Sequence, residues 1–232
     1  DEHLTDVLEL EDAISEQVAT SLIPHLTGED MQKLSQRGTN DPQAHEAYLR
    51  GRFHWNQFTS DSLPKALDAY ETAVKIDPKY ALAHAAIAEF YIWAGIYGLI
   101  PTVTTYRNAW DSVHRALSIT PDLAEAHSAN ALLLANEFRW ESAEASYLRS
   151  IELNPKYALA REWYGALLIG TGRFEEGLTE MAKAVELDPM SLLTKILQIW
   201  YLYQTHRFDE ALAKANEVIA IDPNYPQGHL QK

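Results

Sequence analysis

Apolar side chains recur at helical spacing near the start of the chain, and this pattern predicts the first element. A helix over residues 4–26 would place on one side Val7, Leu10, Ile14, Val18, Leu22 and Leu26. Gly28 is suited to end that helix, and 38-GTNDP-42 predicts a turn before the next one. The apolar side has two interpretations. It either covers the helices that follow, or it docks on an upstream domain or on a second copy of the chain.

Five similar phrases recur after this segment, and each contains a proline. They are 75-KIDPKY-80, 118-SITPDL-123, 152-ELNPKY-157, 186-ELDPMS-191 and 220-AIDPNY-225. The last three intervals between the prolines are 34 residues, and the first is nine residues longer. A period of this length predicts a unit of two helices, each of roughly 12–15 residues, joined by short turns. Neither helix can bury its apolar side alone, so the units must stack.

Small residues recur twelve positions before these prolines, where the two helices of a unit would meet. These residues are Ala66, Ala109, Ala143, Gly177 and Ala211. A larger side chain would overpack such a contact, at a cost of ~1–3 kcal/mol. The small positions therefore predict that the helices of each unit approach closely.

The chain resembles the tetratricopeptide repeat (TPR) family over residues 44–225. The basis is the 34-residue period, the small positions, the aromatic slot at Tyr70 and Tyr147, and the turn 172-GRF-174. The resemblance implies an all-α, right-handed α-solenoid of five helix-turn-helix units, with boundaries near 80, 123, 157 and 191. Residues 1–43 would then be an acidic amphipathic capping or connector helix with a linker. Residues 226–232 resemble the truncated start of a sixth unit.

A narrower resemblance is to the TPR region of bacterial multidomain signalling and transcription proteins. In these, repeats follow a winged-helix, cyclase or kinase module, with a TolB-like segment between. The residues that carry it are 7-VLELEDAISEQVATSL-22, 47-AYLRGRFHWNQ-57 and 96-IYGLIP-101. It implies that this sequence, which has no initiator Met, is part of a longer protein.

Proteins of the TPR family bind ligands mainly on the concave face, at the second, fifth, ninth and twelfth positions of each unit. In this sequence those positions predict a peptide-binding groove of Leu82, Ala85, Glu89, Ile92, Glu125, Ser128, Leu132, Ala135, Leu159, Glu162, Ala166, Ile169, Leu193, Ile196, Trp200 and Tyr203. Tyr80, Tyr157 and Tyr225 end three units and are candidates for the edge of the same face. Ordinary packing of repeat residues is the alternative interpretation.

The chemistry of these positions indicates the kind of partner. One TPR class grips a C-terminal carboxylate with Lys, Asn and Arg, and those residue types are missing here. Aliphatic and aromatic side chains with three glutamates instead suit an amphipathic helix or an extended peptide that has apolar anchors and some basic residues.

The nine additional residues of the second unit form a further candidate site. The segment 96-IYGLIPTVT-104 is apolar for a loop and is expected to lengthen the turn between two helices. It either folds back over its own repeat or contacts a partner or a second copy through Ile96, Tyr97, Leu99 and Ile100.

Composition excludes several kinds of chemistry. The chain has 33 Asp and Glu against 19 Lys and Arg, a formal net charge of −14, which argues against binding to nucleic-acid phosphates through this sequence. It has no cysteine and no phosphate-binding glycine loop, HExxH or GxSxG motif. His84, His127 and His229 repeat with the units and are expected to lie too far apart to share a metal. No apolar run reaches the ~20 residues of a membrane helix.

Together these patterns predict a non-enzymatic scaffold without cofactor, metal or catalytic residues. It would bind a protein or peptide partner and serve as a sensor or docking domain of a larger bacterial protein. Self-association as a homodimer and regulation of an attached enzyme are the alternatives. A cytoplasmic location is expected, with the periplasm as the other possibility.

Overall fold

The computed structural model describes residues 38–57, 59 and 61–221. Within these ranges the chain forms ten α-helices and no strand, as the all-α prediction requires. The predicted helix over 4–26 and the predicted sixth unit at 226–232 lie outside the described residues. The chain divides between Pro121 and Asp122 into two compact units.

Unit 1 contains four helices that pack as two pairs. They are α1 (Pro42–Gln57), α2 (Ser62–Ile76), α3 (Ala81–Ile96) and α4 (Thr102–Ile119). Helix α1 packs against α2, α3 packs against α4, and α2 also contacts α3. The Asp41 carboxylate caps α1, because its Oδ1 accepts bonds from the backbone amides of Gln43 at 2.9 Å and Ala44 at 3.0 Å.

Tight contacts between aromatic rings and small residues hold unit 1 together. A Cβ atom on Gly51 of α1 would lie only 2.3 Å from Cε1 of Tyr70 in α2, so glycine is required for this approach. The ring of Tyr48 lies 5.9 Å from that of Tyr70 and 5.2 Å from that of Tyr80. Tyr80 is completely buried, so its predicted place at the edge of a binding face is wrong. Tyr157 is half-buried, and Tyr225 lies outside the described residues.

Unit 2 contains six helices in three pairs. They are α5 (Ala124–Asn136), α6 (Trp140–Leu153), α7 (Ala158–Gly170), α8 (Phe174–Leu187), α9 (Leu192–Gln204) and α10 (Phe208–Ile221). The first helices of successive pairs also contact each other, α5 with α7 and α7 with α9. A core at the end of the unit brings together Ile169, Leu178, Ile196, Ile199, Leu202, Ala211, Ala215 and Val218.

The predicted close approach at small residues is confirmed. Ala66, Ala109 and Ala143 are completely buried, and Ala211 is nearly so. At Gly177 the approach leaves no room for a side chain, since a Cβ atom there would lie 2.7 Å from the carbonyl oxygen of Gly165 in α7. Helices α7 and α8 therefore touch backbone to backbone.

The nine additional residues are distributed differently from the prediction. The turn between α3 and α4 has only five residues, 97–101, against three in the turn between α5 and α6. The remaining residues extend the helices: α3 has 16 residues where α5 has 13, and α4 has 18 where α6 has 14. The expected lengthening of the turn is confirmed, but by only two residues. Gly98, at φ 65°, follows the end of α3, and the amide of Leu99 bonds back to the carbonyl of Ala94 at 2.8 Å.

Candidate functional site

The predicted groove positions fall into two classes. Those at the fifth position of each first helix are all buried, namely Ala85, Ser128, Glu162 and Ile196, and so are Ile92 and Ile169 at the twelfth. In unit 2 the cause is the contact between successive first helices, which encloses the residues that lie between them. These side chains support the fold and are closed to a ligand in this conformation.

The remaining positions are accessible to different degrees. Leu82, Glu89, Glu125, Leu132, Ala135, Leu159 and Ala166 are half-buried. Leu193, Trp200 and Tyr203 on α9 are exposed, Trp200 by 44% and Tyr203 by 54%. The largest accessible apolar side chains of the predicted set therefore lie on α9, the first helix of the last pair in unit 2.

The three predicted groove glutamates are not equivalent. Glu89 lies 3.6 Å from Arg52 of α1, so an ion pair compensates its charge within unit 1. Glu162 is 2% exposed, which leaves it no access to a partner. Glu125, in the first turn of α5, keeps partial access to solvent.

An apolar pocket of about 290 Å³ opens in unit 2. The last turn of α5 and the following turn form one side, and α6 and α7 form the other. Its lining is Leu132, Ala135, Asn136, Phe138, Trp140, Tyr147, Trp163, Ala166, Leu167 and Gly170. Three of these residues, Leu132, Ala135 and Ala166, are predicted groove positions. The aromatic residues of the lining were not predicted.

Two aromatic residues of the pocket lining, Phe138 and Trp140, belong to a turn sequence that recurs in unit 2. The sequences 138-FRW-140, 172-GRF-174 and 206-HRF-208 each join the two helices of a pair. The first residue of each has positive φ, at 61°, 87° and 61° respectively. The arginine amide that follows bonds to a carbonyl five residues earlier, as between Arg139 and Leu134 at 3.0 Å. This repeated triplet is the sequence signal for the turn that carries Phe138 and Trp140.

The turn arginines link successive helix pairs. Arg173 bonds to Glu144 of α6 at 2.7 Å and to Glu176 of its own α8 at 2.7 Å. Arg207 makes the corresponding bonds to Glu175 at 3.2 Å and Glu210 at 2.6 Å. These bonds tie the turns 172–174 and 206–208 to the second helix of the preceding pair and to the helix that follows each turn in unit 2.

Glu144 is the centre of the polar network beside the pocket. The Tyr164 hydroxyl donates to its Oε1 at 2.7 Å. This bond and the Arg173 guanidinium lower the pKa of Glu144 below its ordinary value. Burial and the same carboxylate raise the pKa of Tyr164 to about 12. Both groups therefore keep fixed protonation states near neutral pH, which gives the network a structural role.

The predicted insertion contact is largely exposed in unit 1. Ile96, Tyr97 and Leu99 are about half exposed, Val103 more so, and Ile100 is half-buried. The ring of Tyr97 stacks on that of Trp93 at 5.3 Å, which holds it against α3. The segment thus presents an apolar patch at one end of the α3–α4 pair.

The described part of the chain offers neither a metal site nor a membrane-spanning helix. Among residues 38–57, 59 and 61–221 there is no group of three or more His, Asp or Glu side chains that could hold a metal ion. None of the helices in these ranges is both long and apolar enough to cross a lipid bilayer.

Comparison with known proteins agrees with the repeat pattern. Residues 128–191 match the family model of the tetratricopeptide repeat. A crystal structure of a thermophilic TPR protein from Thermus thermophilus superposes with a TM-score of 0.65 over 81% of this chain and 96% of its own, at 16% identity. At that identity the likeness shows the fold alone.

A relative of known description is longer than this chain. Over 156 residues the chain is 25% identical to a putative adenylate cyclase 3 of Rhizobium meliloti (strain 1021). The match covers 62% of this chain and 25% of the relative. The chain thus spans about a quarter of the length of that protein.

Proposed function

Since the chain carries repeats of the tetratricopeptide family, we propose that it is a non-catalytic scaffold that binds a peptide or helix of a protein partner. Repeats of this family are protein- and peptide-binding modules, and the fold is typically without catalysis. The bound segment would lie along the first-helix face of unit 2.

The observation that carries the proposal is the overlap between the pocket and the predicted groove. Leu132 and Ala166 belong to both, and Trp200 and Tyr203 extend the accessible apolar surface on α9. Apolar pockets with adjoining aromatic side chains are typical anchor points for peptide ligands. The described part of unit 2 carries fifteen acidic and nine basic side chains, which favours a partner with basic residues.

A binding assay with two kinds of peptide tests the proposal. Fluorescence anisotropy would compare a labelled basic-amphipathic peptide with an acidic C-terminal peptide. We expect the basic-amphipathic peptide to bind more tightly than the acidic one, and we expect its affinity to fall as the salt concentration is raised. Trp200→Ala should reduce its affinity about tenfold, since exposed tryptophans are common hot spots. Met190→Ala is the control, because Met190 is exposed in the turn before α9. Preference for the acidic peptide would refute the proposal.

Self-association is the second candidate function. The exposed Ile96, Tyr97, Leu99 and Val103 in unit 1 favour it, because clustered apolar side chains often mark contact surfaces. Sedimentation across a concentration series should show a dimer that Leu99→Asp and Val103→Asp abolish. A monomer at every concentration would exclude it.

We further propose that the scaffold acts within a larger bacterial signalling or transcription protein, as a sensor or docking domain. The likeness to a putative adenylate cyclase supports this setting, in which the repeats could regulate an attached enzyme. A cytoplasmic location without nucleic-acid contacts through this chain is part of the same proposal. Sequencing the gene upstream of Asp1 tests it, since a signal peptide there would contradict the location.

A further inference from the structure

The pocket of unit 2 has the size of one large side chain. Its volume of about 290 Å³ lies at the small end of the range for ligand sites, roughly 300–1,000 Å³. Phe138 and Trp140 meet edge to face, with ring centroids 5.4 Å apart, and Trp163 belongs to the opposite helix. Such a lining favours an aromatic occupant, because aromatic pairs contribute beyond the area that they bury.

Polar atoms are few in this lining, and one of them is a buried hydroxyl. Tyr147 is 1% exposed, and its hydroxyl forms no hydrogen bond among the residues that the structure describes. Asn136 also lines the pocket, and its amide nitrogen already donates to the carbonyl of Leu132 at 2.9 Å. Burial raises the pKa of Tyr147 well above its ordinary value, so the hydroxyl stays protonated. A tyrosine hydroxyl that lines the pocket can donate one hydrogen bond to a ligand group and accept another.

Phe138 is held in a backbone conformation that its side chain disfavours. Its φ is 61°, in the left-handed region, where the corresponding residue of the next turn is Gly172. Phe138 is also 76% exposed, so burial does not explain a phenylalanine at this position. Backbone strain of this kind is often retained where a side chain serves a function.

Charge near the pocket indicates what accompanies the aromatic group. Glu137 and Glu141 flank the triplet 138-FRW-140, and both are exposed. Arg139 between them lies 3.7 Å from Glu137. Arg173, the other nearby cation, is engaged by Glu144 and Glu176. The surroundings of the pocket thus keep an excess of negative charge, which favours a basic residue next to the anchor.

We propose that this pocket is the specificity subsite of the scaffold and takes a tyrosine side chain of a partner peptide that has Lys or Arg close by. The ring packs between Phe138, Trp140 and Trp163, and its hydroxyl bonds to that of Tyr147. The inference rests on the proposed function, because it names the chemistry of the ligand at the same face.

Selection from a random 12-residue peptide library tests both the proposed peptide binding and the proposed tyrosine specificity of the pocket. We expect binders that share one tyrosine with lysine or arginine within a few residues. The best binder is then compared with its tyrosine-to-phenylalanine version on the unmodified chain and on Tyr147→Phe. The unmodified chain should prefer tyrosine about three- to tenfold, which is the value of one neutral hydrogen bond. Tyr147→Phe should remove this preference, whereas Tyr164→Phe, whose hydroxyl bonds to Glu144, should retain it.

Phe138→Gly separates binding from folding. Glycine adopts the φ of 61° without strain, so the thermal midpoint should stay equal or rise, while affinity for the selected peptide falls severalfold. His206→Gly has the same backbone change at an exposed turn away from the lining and should leave affinity unchanged. If no peptide is selected, the proposed function fails. If peptides bind without tyrosine, or if Tyr147→Phe keeps the preference, the inference fails and the scaffold function stands.

Discussion

Gly177→Ala tests the backbone contact between α7 and α8. The added Cβ atom would lie 2.7 Å from the carbonyl oxygen of Gly165 and 2.5 Å from Cγ1 of Ile169. The isoleucine side chain can shift, whereas the carbonyl belongs to a helical backbone and cannot move without separating the helices. Overpacking of this kind costs ~1–3 kcal/mol. Replacing glycine by alanine within a helix returns about 1 kcal/mol. Relative to the unmodified chain the net loss of stability should therefore be at most about 2 kcal/mol, and relative to a helical Gly→Ala change without a clash it should be the full ~1–3 kcal/mol.

Thermal unfolding followed by circular dichroism measures this loss. For a chain of this size, 1 kcal/mol corresponds to roughly 2–4 °C, so the midpoint should fall by up to about 8 °C. Gly170→Ala is the matched control, because Gly170 is also helical but has nothing within 4 Å of the added atom. That variant should be neutral or more stable. A Gly177→Ala variant with a midpoint equal to or above that of Gly170→Ala would refute the close packing of this pair.

Three further predictions concern single polar groups and one aromatic contact. Asp41→Ala removes the cap of α1 and should lower the free energy of unfolding by about 1 kcal/mol, as measured by thermal unfolding. Asp41→Asn keeps an acceptor oxygen and should therefore retain most of the stability that the cap contributes. Glu144 has a folded pKa below its unfolded value of 4.5, so its stabilising contribution is complete above pH 4.5 and is lost as the pH falls through the folded pKa. Unfolding free energies across this range should therefore fall less steeply for Glu144→Gln, and identical slopes would contradict the network. Gly51→Ala should destabilise unit 1, since its Cβ would overlap the buried Tyr70 ring, and an unchanged midpoint would contradict that contact.

The repeat period allowed much of the fold to be predicted from sequence. The period and the positions of the prolines can be read directly from the sequence. The same holds for the small residues Ala66, Ala109 and Gly177, which predict where paired helices approach closely. The length of the α3–α4 turn could not be predicted in the same way. Seven of the nine additional residues extend α3 and α4 relative to α5 and α6, and only two lengthen the turn that contains Gly98.

The candidate site was harder to predict because exposure depends on tertiary contacts. Repeat positions place Ala85, Ser128, Glu162 and Ile196 on the first helices, but packing between neighbouring helices determines which of them solvent reaches. The aromatic pocket depends on Phe138 in a turn, on Trp140 at the start of α6 and on Trp163 in α7. Sequence shows the recurrent turn triplet, yet only the packed structure brings those rings together.

The central claim is that unit 2 binds a peptide through its pocket and the exposed side of α9. Mapping backbone amide chemical shifts during titration with a basic-amphipathic peptide tests it most directly. Peptide binding at this surface should produce concentration-dependent shifts that cluster at Leu132, Phe138, Ala166, Trp200 and Tyr203. Shifts that are absent from these residues, or confined to α10 and the outer side of α8, would contradict it.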